Sequence, residues 1–121
     1  MAKTILVVDD EPGSVLMFES VLKKRGYRVI LAKDGEEAIG KAQLEKPDLI
    51  ILDIVMPKID GTEVAMLLRE DDRTKNIPIF FITALIAPED KVDPIGAGSI
   101  VFPKPVNMTE FIEKVKKELG S

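Results

Sequence analysis

Ile5-Leu6-Val7-Val8-Asp9-Asp10-Glu11-Pro12 joins a short apolar run to two adjacent carboxylates and then to a proline. The run is too short for a helix and lacks polar alternation, the pattern of a parallel strand covered on both faces. Proline just beyond the acid pair suits the first turn of a helix, where its missing N–H costs no hydrogen bond. The pattern returns along the chain. Apolar runs lie at residues 29–31, 49–52, 77–82 and 100–102, and polar loop residues follow each. Arg28 beside Tyr27 and Val29 makes the second run the more edge-like.

Amphipathic segments separate the runs. Val15, Phe18 and Leu22 recur at helical spacing, with Gly26 beyond them as a stop signal. Asp34-Gly35-Glu36-Glu37 places a carboxylate three residues after a capping aspartate and precedes Ala38, Ile39 and Ala42. Asp60-Gly61 precedes Val64, Leu67 and Leu68, with Met66 read as core. Asn107 with Glu110 precedes a stripe of Met108, Phe111, Ile112, Val115 and Leu119. The fourth slot, residues 87–98, carries Pro88, Pro94, Gly96 and Gly98, so only a short or irregular helix is expected there. Strand followed by helix, five times over, predicts a single α/β domain across residues 1–121. Its core is a doubly wound five-stranded parallel sheet in the order 2-1-3-4-5.

Composition narrows the chemistry. The 121 residues contain no cysteine and no histidine, which excludes disulfides, thiol nucleophiles, histidine phosphocarriers and Ser-His-Asp triads within the chain. Seventeen basic residues against twenty-one acidic ones argue against a nucleic-acid backbone as the main partner. No signal peptide or membrane span is visible, and a cytoplasmic location is expected. Carboxylates, hydroxyls and lysines remain.

In open α/β sheets, ligands bind at the carboxyl ends of the strands, near the point where strand order reverses. The first strand ends in Asp9 and Asp10, the third in Asp53, the fourth in Thr83, and Lys104 follows the fifth. Strand order 2-1-3-4-5 would bring the three aspartates together. Clustered carboxylates repel one another unless a cation intervenes, and an oxygen-only donor set suits Mg²⁺. With Lys104 and Thr83 alongside, the group forms a receptacle for a phosphoryl group, with Asp53 as nucleophile.

Val7-Val8-Asp9-Asp10-Glu11-Pro12, Asp53-Ile54-Val55-Met56-Pro57 with Asp60-Gly61, Thr83-Ala84 and Lys104-Pro105 resemble the signature of bacterial response-regulator receiver domains. The likeness is to the single-domain, CheY-like type with a flavodoxin-like fold, and it covers essentially the whole chain. It implies that Asp53 accepts a phosphoryl group from a phosphohistidine on a sensor histidine kinase or phosphotransfer protein. It implies that Asp10 binds Mg²⁺ directly, that Asp9 assists, and that the backbone carbonyl of Val55 supplies a further ligand. Thr83 and Lys104 would contact the phosphoryl oxygens, and the Lys104-Pro105 bond would be cis. The altered surface, around the fourth helical segment, fifth strand and final helix, would engage a downstream protein target.

Two departures stand out. The family usually carries tyrosine or phenylalanine three residues before the lysine, where this chain has Val101; Phe102 is expected on the opposite face of its strand. Val55 and Leu85, two residues past Asp53 and Thr83, are both apolar and cannot orient a hydrolytic water, so slow self-dephosphorylation is expected. An aspartyl phosphatase would want a second aspartate where Val55 stands, and a flavin carrier would not place Asp9-Asp10-Glu11 beside a phosphate. The alternative is a receiver-like adaptor or dimerisation module that works without phosphorylation. Expected, then, is a signalling switch rather than a turnover enzyme, with no output domain, no membrane association and no direct contact with nucleic acid.

Overall fold

The computed structural model describes residues 2–84 and 100–120. The described elements are β1 (Thr4–Val8), α1 (Pro12–Lys24), β2 (Arg28–Ala32), α2 (Gly35–Glu45), β3 (Leu49–Asp53), α3 (Gly61–Glu70), β4 (Ile79–Thr83), β5 (Ile100–Pro103) and α4 (Met108–Leu119). All five strands are parallel, in the order β2-β1-β3-β4-β5. This is the doubly wound sheet that the alternation of apolar runs and helices predicts. The irregular fourth segment at residues 87–98 and Leu85 lie outside the described residues.

Alternation along the strands divides the core in two. Ile5, Val7, Leu49, Ile51, Phe80, Ile82 and Phe102 meet Phe18 and Leu22 of α1 and Phe111, Ile112 and Val115 of α4. Leu6, Val8, Ile50, Leu52, Ile79 and Phe81 meet Ala38 and Ala42 of α2 and Val64, Ala65 and Leu68 of α3. β3 and β4 are buried throughout, which is why they read as unbroken apolar runs, whereas edge strand β2 begins exposed at Arg28. Phe18, Phe111 and Phe102 stack edge to face, with ring centroids 5.1 and 5.3 Å apart, tying α1, α4 and β5 together.

Two of the caps, at Asp34 and Asn107, are those the sequence announces, and the structure adds a third at Asp60. Asp34, Asp60 and Asn107 accept hydrogen bonds from the backbone N–H groups of Glu37, Glu63 and Glu110, at 2.9, 3.0 and 3.1 Å. The inward stripe of α3 differs from the one its spacing predicts. Leu67 and Met66 are 43% and 58% exposed, and Ala65 takes the inward place between Val64 and Leu68. In α1, Ser14 rather than Val15 is buried with Phe18 and Leu22. β4 begins at Ile79 because Ile77 donates its N–H to the Thr74 carbonyl in the preceding turn and Pro78 has none to give.

Gly61 sits where two backbones touch. Its N–H donates to the Ile54 carbonyl at 2.8 Å, and a Cβ there would meet the Asp53 carbonyl and come within 2.8 Å of Ile54 Cα. Backbone cannot rotate away as a side chain can. Gly61→Ala should therefore cost about 2–3 kcal/mol, measured by urea unfolding, with the end of β3 displaced. Unchanged stability would mean that the α3 N-terminus slides freely.

Candidate functional site

Register decides which strand ends meet. Val8 of β1 pairs with Leu52 of β3, so Asp9 and Asp53 are next in line on neighbouring strands. Asp53 pairs with Ile82, placing Thr83 one step beyond it, and Thr83 pairs with Pro103, placing Lys104 one step beyond that. Alternation aims Asp9 and Asp53 toward the face covered by α1 and α4, the side to which Val7 and Ile51 also point. Two carboxylates thus arrive at one point because the strands that carry them are adjacent and in register.

The Lys104 ammonium lies between them, 3.0 Å from Asp9 Oδ2 and 2.9 Å from Asp53 Oδ2. The outer oxygens are held by backbone: Asp9 Oδ1 accepts from Glu11 N–H at 3.0 Å, and Asp53 Oδ1 from Val55 N–H at 3.1 Å. Asp9 and Asp53 are 1% and 4% exposed, while Asp10 is exposed at the mouth. One carboxylate oxygen from each of the three aspartates lies within 4.8 Å of the others. Lys104 is positioned by its own N–H, which donates to the Thr83 carbonyl at 2.8 Å, and the Lys104-Pro105 bond that follows is cis.

Burial sets the charge balance. It pushes the Asp53 carboxyl up to about 6; the Lys104 hydrogen bond opposes the rise and the neighbouring Asp9 charge adds to it. Burial also pushes Asp9 upward, but the Glu11 N–H, Lys104 and the Ser14 hydroxyl outweigh it, so Asp9 stays below the usual carboxylate range. For Lys104 burial acts downward, and its hydrogen bonds to Asp53 and Asp9 reverse the sign. The site is thus an ionised Asp9, a protonated lysine and an Asp53 that holds its proton unusually strongly. A cluster of three hard oxygen donors with one reluctant anion suits a small divalent cation, because added positive charge relieves the repulsion.

Asp9, Asp10, Asp53 and Lys104 are therefore brought together as the sequence predicts. Thr83 is 1% exposed at the adjoining strand end. Val55 is half exposed beside Asp53, and Pro105 is exposed next to the lysine. Val101 packs toward the α2–α3 face and Phe102 toward the opposite one. Ser14 is the member that the sequence did not announce. A serine just inside a helix reads as an ordinary polar residue, and only the fold shows it buried beside the site's cleft.

Residues 5–116 match the family model described as the response regulator receiver domain. The chain is 44% identical over 117 residues to the alkaline phosphatase synthesis transcriptional regulatory protein PhoP of Bacillus subtilis. That alignment covers 96% of this chain and 48% of PhoP, so the chain spans about half the length of that relative. It is 32% identical over 122 residues to the polar-differentiation response regulator DivK of Brucella anthropi, covering 99% of this chain and 98% of DivK. Among solved structures, it resembles the receiver domain of the Pseudomonas aeruginosa sensor histidine kinase PA1611, which has a magnesium ion coordinated in its active-site cleft. The two share 29% identity with a TM-score of 0.87, and the match covers all of both chains.

A folded-state carboxyl that titrates near 6, above its unfolded value, binds more protons than the unfolded chain between the two values. Its contribution to stability therefore falls as pH rises through that window. In metal-free buffer, Asp53→Asn should be more stable than wild type at pH 7 by about 1 kcal/mol. The full shift is not recovered, because Lys104 loses an anionic partner. Urea unfolding at pH 4.5 and 7 checks the sign: the gain should shrink at the lower pH. A variant equally destabilised at both values would contradict this charge balance.

Proposed function

Because the chain belongs to the receiver domains of two-component response regulators, we propose that Asp53 is its phosphoacceptor. The donor would be a phosphohistidine of a sensor histidine kinase or phosphotransfer protein. An Asp53 oxygen would form the new O–P bond as the P–N bond breaks, the electron pair staying with the departing imidazole. The observation that carries this reading is the buried Asp53 carboxylate, with Lys104 at 2.9 Å and two further carboxylates within 4.8 Å. Asp9, Asp10 and Asp53, with the backbone carbonyl of Val55, would hold Mg²⁺, whose charge would offset that of the phosphoryl oxygens.

Lys104 already spans Asp9 and Asp53, so it can follow the phosphoryl group without leaving the site. Thr83, at the next strand end, would supply a hydroxyl to the same oxygens. Val101 and Pro105 would belong to the surface that responds. Val101 is smaller than the aromatic usual at its position and packs toward the α2–α3 face. The response would therefore travel through backbone and loop rather than through a rotating ring. The output in this reading is contact with a protein target. The chain acts as a switch upon itself and turns over no external substrate.

The apolar Val55, half exposed beside Asp53, favours a long-lived phosphoryl group, since it can neither orient nor activate water.

Intact mass after incubation with a small phosphodonor tests the reading. Wild type should gain one phosphoryl mass only with Mg²⁺ present, and Asp53→Asn should gain none. A folded wild type that gains nothing would favour the phosphorylation-independent adaptor. Val55→Asn should shorten the half-life of the phosphorylated protein about tenfold, the low end of what a positioned polar group contributes. An unaltered half-life would show that Val55 does not govern water access.

A further inference from the structure

Strand β2 is one edge of the sheet, and its pairing with β1 fixes which of its backbone groups face outward. Arg28 N–H donates to the Lys3 carbonyl, and the Ala32 carbonyl accepts from Asp9 N–H, so residues 28, 30 and 32 turn their backbone groups toward β1. Those of Val29, Leu31 and Lys33 point the other way, to the outer edge. A row of such groups is a template for another strand, and folded proteins cover or blunt it.

Helix α2 covers this edge with two side chains one turn apart. The Lys41 ammonium donates to the Leu31 carbonyl, and Glu37 Oε1 accepts from Lys33 N–H at 2.8 Å. The two side chains are themselves paired, 3.8 Å apart. In a parallel ladder, one residue bonds the carbonyl and the N–H on either side of the residue opposite it. Leu31 and Lys33 flank Ala32, the last residue of β2. Glu37 and Lys41 together therefore occupy the place of one residue of a sixth strand. Glu37 alone could be read as part of the turn into α2, but Lys41 stands in the middle of that helix and has no part in the turn.

The edge so covered fits a second copy of itself. About a two-fold axis at Ile30, an antiparallel pair sets Val29 against the second copy's Leu31, and each exchanges N–H and C=O with the other. The side chains that meet are apolar, and Arg28 falls opposite Ala32 rather than another arginine, so no like charges oppose. Both halves of this pairing need the Leu31 carbonyl, and in each copy Lys41 holds it.

We propose that the outer edge of β2 is a self-docking surface that Lys41 holds shut. The ammonium satisfies the carbonyl in the single chain, and an incoming strand would have to displace it and bury its charge. The inference is independent of the phosphoryl chemistry proposed for Asp53.

Sedimentation velocity of the whole chain over a range of concentrations tests it on wild type, Lys41→Arg, Lys41→Met, and Lys41→Met combined with Val29→Pro. Methionine keeps most of the length of the lysine stem but cannot donate. Proline at position 29 removes an outward N–H and leaves the bonds to β1 in place, which an edge strand tolerates. Circular dichroism checks that each variant is folded. Wild type and Lys41→Arg should sediment as monomers, Lys41→Met should form dimers at least about tenfold more tightly, and the double variant should return to monomer. Hydrogen exchange gives a second reading that needs no proline: the Val29 and Leu31 amides of Lys41→Met should gain protection as its concentration rises. If Lys41→Met associates no more tightly than wild type, the guard is overturned. If it associates without protecting those amides, or if the double variant associates equally well, contact runs through the new methionine and the docking edge is overturned.

Discussion

One ammonium between two buried carboxylates organises this molecule. Lys104 reaches from the end of β5 across two strands to Asp53 and Asp9, its partners 51 and 95 residues earlier in the chain. Charges so deeply buried are tolerated only when paired, and breaking such a pair by removing one partner leaves the other uncompensated. The sheet has to deliver all three groups to one point. Parallel register accomplishes this: each strand ends one step after its neighbour's last pairing, and the polar residue follows at once.

The same arrangement explains why the site is poised rather than quiescent. One lysine serves two carboxylates, and a third lies within 4.8 Å at the mouth. Net negative charge is left over, and Asp53 bears the strain as a carboxyl that gives up its proton near pH 6. A fold seeking stability alone would place leucine there, as β3 does at Leu49 and Leu52. Conflict between local electrostatics and burial marks a functional position, and here it falls on residues at the carboxyl edge of a doubly wound sheet, where such folds bind their ligands.

Much of this was legible in the chain because the signals were redundant. Three central strands announced themselves as apolar runs, the acids and Thr83 followed those runs directly, and Lys104 followed the edge strand β5. The caps at Asp34 and Asn107 could be read from a carboxylate three residues later. Periodicity failed where two patterns coincided. Leu67 and Met66 look like core, but a short helix beside a sheet buries only one stripe, and small Ala65 packs closer than either. Ser14 was illegible for a different reason. Its burial depends on how sharply the chain turns between β1 and α1, and no local pattern encodes that angle.

The two oxygens of Asp53 are chemically identical in a free side chain, and the fold makes them different. One is anchored to the backbone amide of Val55, in the loop that Gly61 clamps to Ile54; the other faces the lysine and the open cleft. Any group bonded to the cleft oxygen leaves the anchored one in place. That anchor hinders the side chain from turning, so a new bond at its tip would bear on a loop rooted in α3. A symmetric functional group has become a directional lever.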